Sequence, residues 1–386
     1  MPSFDVQRAI RDLKNLNFPR FVGTDGEKKA REYIVEQFEE TGLDVFEEEV
    51  RYSLSIKLIT KLGILFQAIL LFLTGYYVRV HPAISGVFAT VLLLFLLGST
   101  RWSKFIGPFK GLGPKYFSKN VIAENKSHRS DKKVILLAHY DTKSEFLPMR
   151  VRITALTISI LGGIIFSLFT IIASLGALTS TFLLPESIFL YSGLFLFAVT
   201  ILLVFNKTGN LSPGIIDNAS GVVVMLELAR TLQEDKYQDL DIEFVATTAE
   251  EVGLAGARNY LEDYRDELDE EKTYIINLDV VGRGDLLYNA SYGFPRIRTS
   301  KDLNDMIKEI KEEDSFDVEG GYFPTGLAAD HMPFIERGFE ATWLYSAMPT
   351  VHTERDDLEN IDESTIENAG IIVQRLLNEL DGAPNK

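Results

Sequence analysis

The sequence predicts an α/β fold: a three-layer domain with helices on both faces of a mostly parallel central sheet, to which four transmembrane helices are attached. Two observations predict it. Short apolar runs, suited to strands buried on both faces, alternate with segments of helical periodicity. Longer runs rich in Leu, Ile and Phe approach the roughly 20 residues that a helix needs to cross a bilayer.

The long apolar runs predict four transmembrane helices near residues 62–80, 84–100, 153–175 and 187–205. Helices buried in the core of a globular protein are the alternative. Two hairpins with short turns result, and they divide the chain into five parts. The parts are 1–57, the first hairpin 58–100, the stretch 101–152, the second hairpin 153–205, and 206–386. We expect the three parts outside the hairpins to form one domain.

The distribution of basic residues predicts the orientation of this domain. Both hairpins return to the side on which they start, so the three parts share one side of the membrane. Basic residues flank the helices on that side: Lys57, Lys61, Arg101, Lys104, Lys110, Lys115, Arg150, Arg152 and Lys207. The far turns hold only Arg79 and His81. The positive-inside rule therefore predicts an integral membrane protein with its large domain on the cytoplasmic side.

Composition excludes several kinds of chemistry. The chain has no cysteine, which excludes disulfides, cysteine-ligated zinc and a thiol nucleophile. A net charge of −16 argues against nucleic acid as a partner. The lipid bilayer is an expected partner, and a homo-oligomer is left open because transmembrane helices of this length often pack with partners.

The remaining elements follow in order. We predict helices over 25–41, 222–232, 303–311 and 364–380, and one after the Glu pair that ends at about 264. We predict strands over 45–53, 120–124, 134–138, 242–247, 274–278 and 342–344. The strand 134–138 is apolar throughout, which is typical of a central strand.

Metal-capable side chains follow the predicted strands. They are His139, the Glu250–Glu251 pair, Asp279 and His352, and Asp217 stands at the start of a helix. A Glu-Glu pair alone usually marks a solvated acidic turn. The carboxyl ends of parallel strands meet at one sheet edge, so these side chains can converge. Histidine and carboxylate ligands without a thiolate suit Zn²⁺, with Mn²⁺ or Co²⁺ as alternatives.

These motifs resemble the co-catalytic di-zinc metallopeptidases of clan MH, family 28. The motifs are His139-x-Asp141, Asp217-Asn218-Ala219-Ser220-Gly221, Glu250-Glu251, Asp279 and His352, in the family's order. The resemblance includes the segments Arg20-Phe21-Val22-Gly23-Thr24 and Asp330-His331-Met332-Pro333-Phe334. It implies a zinc-dependent, aminopeptidase-like hydrolase of peptide or amide bonds, with two Zn²⁺ per chain. The membrane hairpins depart from the soluble family, and the second is inserted between His139 and Asp217.

The resemblance also implies a role for each residue. Asp217 would bridge two metal ions, His139 and Asp279 would complete one site, and Glu251 and His352 the other. Two such ions lower the pKa of a bridging water and polarise the scissile carbonyl.

Glu250, which is not a ligand, would then be the catalytic general base that moves the proton. Asp141 would accept the other N–H of the His139 ring. Asp330 and His331 would support the pocket. The alternatives are capping or turn roles for Asp141, Asp217 and Asp279, and purely structural hydrogen bonding for Asp330 and His331.

Three other functions stay open at this point. A glutaminyl cyclase uses a similar His-Tyr-Asp segment with one zinc, an amidohydrolase would act on N-acyl lipid-like substrates, and a scaffold would bind no metal. Metal content discriminates: two ions indicate the hydrolase, one the cyclase and none the scaffold. The sequence does not separate aminopeptidase from carboxypeptidase or dipeptidase action. We also hypothesise that Phe146, Leu147 and Met149 help to admit membrane-bound substrates.

Overall fold

The computed structural model describes residues 4–99, 112–127, 130–179, 185–232, 237, 239–314, 316–325 and 328–382. Its helices are α1 Val6–Asn15, α2 Asp25–Glu39, α3 Ser55–Val80, α4 Pro82–Ser99, α5 Met149–Leu178, α6 Glu186–Val204, α7 Ser220–Leu232, α8 Ala255–Asp263, α9 Asp302–Asp314, α10 Met332–Ile335 and α11 Glu363–Asp381. Within α5, Ile158–Gly162 is π-helical. The strands are β1 Asp44–Tyr52, β2 Tyr116–Asn125, β3 Lys132–His139, β4 Ser144–Glu145, β5 Thr208–Gly209, β6 Leu240–Thr247, β7 Thr273–Leu278, β8 Leu286–Tyr292, β9 Ile297–Arg298, β10 Val318–Phe323 and β11 Glu340–Tyr345.

The main sheet has the strand order β1-β2-β6-β3-β7-β11-β8-β10. Its four central strands, β6, β3, β7 and β11, are mutually parallel. The flanking pairs β1–β2, β2–β6 and β11–β8 are antiparallel, and β8–β10 is parallel. The predicted parallel arrangement therefore holds for the four central strands but not where the outer strands join them. The first helical hairpin explains part of the difference. It returns the chain to the edge that it left, so Tyr116 pairs with Tyr52 and β2 runs back along β1.

Helices cover both faces of the sheet, as predicted. Val134, Leu136 and Ala138 of β3 belong to a core shared with α1, α2, α7, α9 and α11. Ile135 and Leu137, the alternating residues, belong to a second core shared with α8 and α10. The fully apolar sequence of this strand follows from its burial on both faces, since successive side chains point to opposite sides.

Four helices are long and apolar enough to cross a membrane: α3, α4, α5 and α6. Two of them start earlier than the apolar runs predict, α3 at Ser55 instead of 62 and α5 at Met149 instead of 153. Hydropathy marks only the apolar part of a helix. The first turns of α3 are mixed in polarity, and Ile56 packs against Val252 and Val50 of the sheet domain.

The four helices form a bundle in which α3 packs along α4 and α6, and α4 packs along α5. Glycines allow the closest approach, between α3 and α6. A Cβ at Gly193 would lie 2.9 Å from the carbonyl oxygen of Leu71 and 3.2 Å from Cα of Gly75. Close packing at small residues is the usual means by which helices associate in lipid. Arg101, Lys104 and Lys110, used for the orientation prediction, lie outside the described residues.

Candidate metal centre

Five side chains converge at the carboxyl edge of the four parallel strands. His139 ends β3, Glu251 lies in a turn after β6, Asp279 follows β7, and His352 lies beyond β11. Asp217 comes from the turn that precedes α7. All five are buried. They form two overlapping sets of ligand atoms, and within each set the atoms lie within 4.8 Å of one another.

The first set, called group one, consists of His139, Asp217 and Asp279. His139 Nε2 lies 3.1 Å from Asp217 Oδ1 and 3.5 Å from Asp279 Oδ1. The His139 Nδ1 lies 3.0 Å from the carbonyl oxygen of Asp141. A carbonyl only accepts, so Nδ1 carries the hydrogen and Nε2 can present a lone pair to the carboxylates. This is the arrangement that a metal ligand requires.

The contact to Asp141 differs in one respect from the prediction. The backbone carbonyl of Asp141 orients His139, whereas its carboxylate lies 3.7 Å from Nδ1, beyond hydrogen-bond distance. The carboxylate instead accepts the backbone N–H groups of Glu250, at 3.1 Å, and Glu251, at 3.3 Å. Asp141 therefore holds the His139 ring and the glutamate turn together, through different atoms.

The second set, called group two, consists of Asp217, Glu251 and His352. His352 Nε2 lies 2.9 Å from Asp217 Oδ2 and 3.1 Å from Glu251 Oε1. Asp217 thus contributes one oxygen to each group. The other ring nitrogen, Nδ1, lies 2.6 Å from Nη2 of Arg152.

The Arg152 contact determines the hydrogen position on the His352 ring. A guanidinium only donates, so Nδ1 accepts here and the ring hydrogen sits on Nε2, facing the carboxylates. A metal ion bound through Nε2 would need the hydrogen on Nδ1, and Arg152 would have to move away. In this arrangement the ring hydrogen of neutral His352 faces the carboxylates, whereas that of neutral His139 faces the Asp141 carbonyl.

The two adjacent glutamates have opposite electrostatic environments. Glu251 Oε2 pairs with Nζ of Lys143 at 2.6 Å, and its Oε1 faces His352. Burial opposes ionisation, but Lys143 and His352 outweigh it and lower the pKa of Glu251 below its usual range. Burial and the neighbouring Glu251 raise the pKa of Glu250 well above its usual value. The pair is therefore divided into a charged ligand-type carboxylate and one that favours holding a proton.

The backbone around these residues adopts unusual conformations. Ala249, Val280 and His352 have φ values of 55°, 64° and 63°, in the left-handed region that β-branched and bulky residues rarely occupy. Each is a member of the site or the immediate neighbour of one. Strained conformations of this kind persist where the surrounding structure holds them, and they cluster at functional sites.

Asp330 and His331 lie outside both groups. Asp330 accepts a hydrogen bond from the hydroxyl of Thr247, the last residue of β6, and burial raises the pKa of Asp330 to about 7. His331 packs against the Trp343 ring at 5.8 Å, and burial lowers the pKa of His331 to about 3. Trp343 in turn donates from Nε1 to the carbonyl oxygen of Asp279 at 2.8 Å. Through Thr247 and Trp343, the two residues contact the elements that precede Glu251 and Asp279.

The sequence reasoning missed four side chains that shape the site. They are Lys143, Arg152, Asp356 and the fully buried Arg20. Asp356 accepts the backbone N–H groups of Ile216, at 2.6 Å, and Asp217, at 3.2 Å.

Arg20 donates to the carbonyl oxygens of Tyr140, at 2.9 Å, and Gly214, at 2.9 Å, and so joins the loops that carry His139 and Asp217. The only sequence signal for Arg20 was that a charged residue occurs in the Arg20–Thr24 segment that resembles the family. No sequence signal indicated that Lys143, Arg152 and Asp356 belong to the site.

The donor set fits metal ions. Around Asp217 lie two histidines and the carboxylates of Asp279 and Glu251, all buried. Burial alone would lower the pKa of His139, but the carboxylates of Asp279 and Asp217 raise it well above its usual value. So many buried anions require positive charge, which a proton on the ring or a bound cation supplies. Nitrogen and oxygen ligands without thiolate suit zinc.

Comparisons with known proteins agree with this geometry. Residues 199–377 match the family model described as peptidase family M28. A Bacillus subtilis protein, aminopeptidase YwaD, is 31% identical over 169 residues, which cover 42% of this chain and 36% of that protein. A probable leucine aminopeptidase from Arthroderma otae is 27% identical over 184 residues, covering 45% of this chain and 49% of that protein. The matches thus span less than half the length of these relatives.

Solved structures share the fold. An aminopeptidase from Aneurinibacillus sp. strain AM-1 aligns with a TM-score of 0.58 at 16% identity, covering 98% of this chain and 94% of that chain. The Bacillus subtilis zinc aminopeptidase BSAP aligns with a TM-score of 0.57 at 16% identity, covering 98% and 96%. A glutaminyl cyclase from Bacteroides thetaiotaomicron aligns with a TM-score of 0.55 at 17% identity, covering 97% and 98%. The family match contains four of the five converging residues, and the solved structures share the fold.

Proposed function

We propose that this chain is a membrane-anchored, zinc-dependent peptidase of the aminopeptidase type, which hydrolyses peptide or amide bonds. One observation carries the proposal. Two overlapping ligand groups share Asp217, and beside them stands Glu250, a carboxylate that belongs to neither group. The match of residues 199–377 to peptidase family M28 and the similarity to aminopeptidases support the same activity.

Each residue has a distinct role in this proposal. His139, Asp217 and Asp279 would hold one metal ion, and Asp217, Glu251 and His352 a second. When bound, the ions supply Lewis-acid polarisation of the scissile carbonyl and of the attacking water. Glu250 accepts the proton from that water and transfers it to the nitrogen of the leaving amine. The carboxylate of Asp141 accepts the backbone N–H of Glu250 and so keeps Glu250 in place.

The raised pKa of Glu250 suits the step in which Glu250 protonates the leaving amine, because a carboxyl that holds its proton can deliver it. Positive charge bound in the two groups favours the ionised form of Glu250, which is the form that can accept the proton of the attacking water. Glu251 is kept ionised by Lys143, so the two neighbours do not exchange roles.

Glu250→Gln tests the proposed base. The amide occupies the same space but cannot take a proton, so we expect kcat to fall by roughly a hundredfold to ten-thousandfold. Metal content should stay at the parent value, since Glu250 is not a ligand. Activity on a panel of peptides and acyl amides is measured alongside metal content. The exposed Glu267→Gln is the matched control, and hydrolysis by Glu250→Gln at the parent rate would refute the assignment.

Metal content also addresses the cyclase alternative. The glutaminyl cyclase shares the fold, so the fold does not separate the two activities. We expect two ions per chain. A single ion, together with cyclisation of N-terminal glutamine, would favour the alternative.

We further propose that α3, α4, α5 and α6 cross a membrane with the peptidase domain on the cytoplasmic side. Their length and apolar character support this, as do the basic residues at their ends on the domain side. Because the chain has no cysteine, single cysteines can report topology without background. An impermeant thiol reagent should label His81→Cys in intact cells, and Asp266→Cys only after permeabilisation. The reverse pattern would overturn the orientation.

A further inference from the structure

A small cavity connects the helical bundle with the glutamate pair. Its volume is about 270 Å³, and it lies between the first turns of α3, the end of α6 and the turn after β6. This is near the lower limit of ligand pockets, so it suits part of a small substrate. We call it the vestibule. Its apolar lining includes Ile56, Ile64 and Leu203, and its charged lining consists of three lysines and three glutamates: Lys57, Lys61, Lys143, Glu145, Glu250 and Glu251.

Two lysines of α3 face the vestibule. Lys57 and Lys61 are four residues apart and Ile64 follows three residues later, so the three side chains share one helix face. Leu58 and Leu62, on another face, are 61% and 54% exposed, as expected for contact with lipid. Lys57 and Lys61 therefore lie on the side of α3 that faces the catalytic carboxylates.

These two lysines have no anionic partner within salt-bridge distance among the residues that the structure describes. The Lys57 ammonium lies 4.2 Å from the centroid of the Phe21 ring, and the carboxylates of Glu251, Glu145 and Asp141 act on it only from beyond salt-bridge distance. Lys143, by contrast, is paired with Glu251. Lys57 and Lys61 are separated by about 6 Å along the helix axis, close enough to bind one anionic group together.

The rest of the vestibule indicates which part of a substrate it holds. Ile56, Ile64 and Leu203 offer an apolar wall. Glu250 lines the same cavity, and in the proposed reaction it delivers a proton to the leaving amine. The leaving side of the substrate must therefore face the vestibule.

We propose that the vestibule binds the leaving-group side of a short apolar peptide, with the free carboxylate of the peptide paired to Lys57 and Lys61. This deepens the proposed function and rests on it. The substrate class is a di- or tripeptide with an apolar C-terminal residue, whose side chain packs against Ile64 and Leu203. The volume of the vestibule limits the length of the leaving fragment.

Hydrolysis in this pose balances without a further reactant. The oxygen of water bonds to the carbonyl carbon and the C–N bond breaks. One proton of the water passes through Glu250 to the leaving nitrogen. The released amino acid or dipeptide keeps its carboxylate on the two lysines until it dissociates.

The test compares leucyl-leucine with leucyl-leucinamide, which lacks only the carboxylate charge. The metal-loaded full chain is assayed in nanodiscs of neutral lipid. We expect the parent to prefer the free acid, leucyl-leucine. In the double variant Lys57→Gln/Lys61→Gln, the kcat/KM for leucyl-leucine divided by that for leucyl-leucinamide should fall by roughly tenfold to a hundredfold. A ratio within one preparation does not depend on the folded fraction. Lys207→Gln, an exposed charge near the same membrane boundary, should keep the parent ratio.

Three results would overturn the inference. Equal loss on both peptides would assign the lysines to structure. An effect that appears only in nanodiscs of anionic lipid, and equally for both peptides, would assign them to lipid headgroups. Hydrolysis of both peptides by the parent without preference would refute carboxylate recognition while leaving the proposed function intact.

If the parent hydrolyses neither peptide, the proposed function fails instead. Calorimetric binding of the two peptides to the Glu250→Gln variant then still decides the inference. If leucyl-leucine binds more tightly than leucyl-leucinamide and the lysine substitutions abolish this difference, the inference is supported. If the two peptides bind equally, the inference is overturned.

Discussion

The two ligand groups share Asp217 but differ in how far they are prepared for a cation. In group one, the Asp141 carbonyl holds the hydrogen of His139 on Nδ1, so Nε2 can present a lone pair. In group two, Arg152 donates to Nδ1 of His352, and the ring hydrogen faces the carboxylates. The two histidines therefore have different partners on Nδ1, a carbonyl oxygen in group one and a guanidinium in group two.

The difference follows from where each group is attached. His139 ends a central strand, and its neighbours belong to the sheet. Arg152 lies in the first turns of α5, a helix long and apolar enough to cross a membrane. Lys143, which pairs with Glu251, adds a second positive charge to group two. The position of α5 thus affects the charge and hydrogen positions of group two, while group one is independent of it.

The largest expected effect comes from the residue that the groups share. Asp217→Ala removes one oxygen from each, so we expect loss of both ions and a fall in activity on the order of a thousandfold or more. Metal content by mass spectrometry and circular dichroism of the folded chain are measured together. The exposed Asp266→Asn is the control. A variant that retains both ions would show that Asp217 does not join the groups.

A smaller effect is expected at group two. In zinc-buffered titrations the parent should bind one ion more weakly than the other. Arg152→Gln removes a positive charge and the donor that faces His352 Nδ1, so the weaker ion should bind about tenfold more tightly. The tighter ion should be unaffected.

Arg150→Gln is the matched control, because Arg150 is exposed on the same helix two residues away. The assignment of the weaker ion to group two would be contradicted if Arg152→Gln changed the affinity for the tighter ion. It would also be contradicted if Arg152→Gln and Arg150→Gln changed the affinity for the weaker ion equally.

Much of the site was predictable because it depends on strand ends. A strand buried on both faces is recognisable by its apolar run, and parallel strands bring their carboxyl ends to one edge. His139, the glutamate pair and Asp279 could therefore be placed together from sequence. The antiparallel β8, with the sequence Leu286–Tyr292, was not predicted, since its polar residues Asn289 and Ser291 interrupt the apolar pattern.

The helices were predictable by type and less so by boundary. Their apolar runs were recognised, but α3 extends two turns beyond its run, and those turns carry Lys57 and Lys61. Hydropathy does not report packing against a neighbouring domain, which decides where this helix begins. The vestibule could not be foreseen for the same reason.

The sequence by itself determined which metal-capable residues are present, their order and the alternation of strands and helices, because these depend on residue chemistry and local periodicity. Only the tertiary structure decided that Asp141 acts on His139 through its carbonyl, and that Arg152 and Lys143 enter group two. Arg152 and His352 are 200 residues apart. Contacts at that separation follow from packing of the bundle against the sheet, for which no local pattern exists.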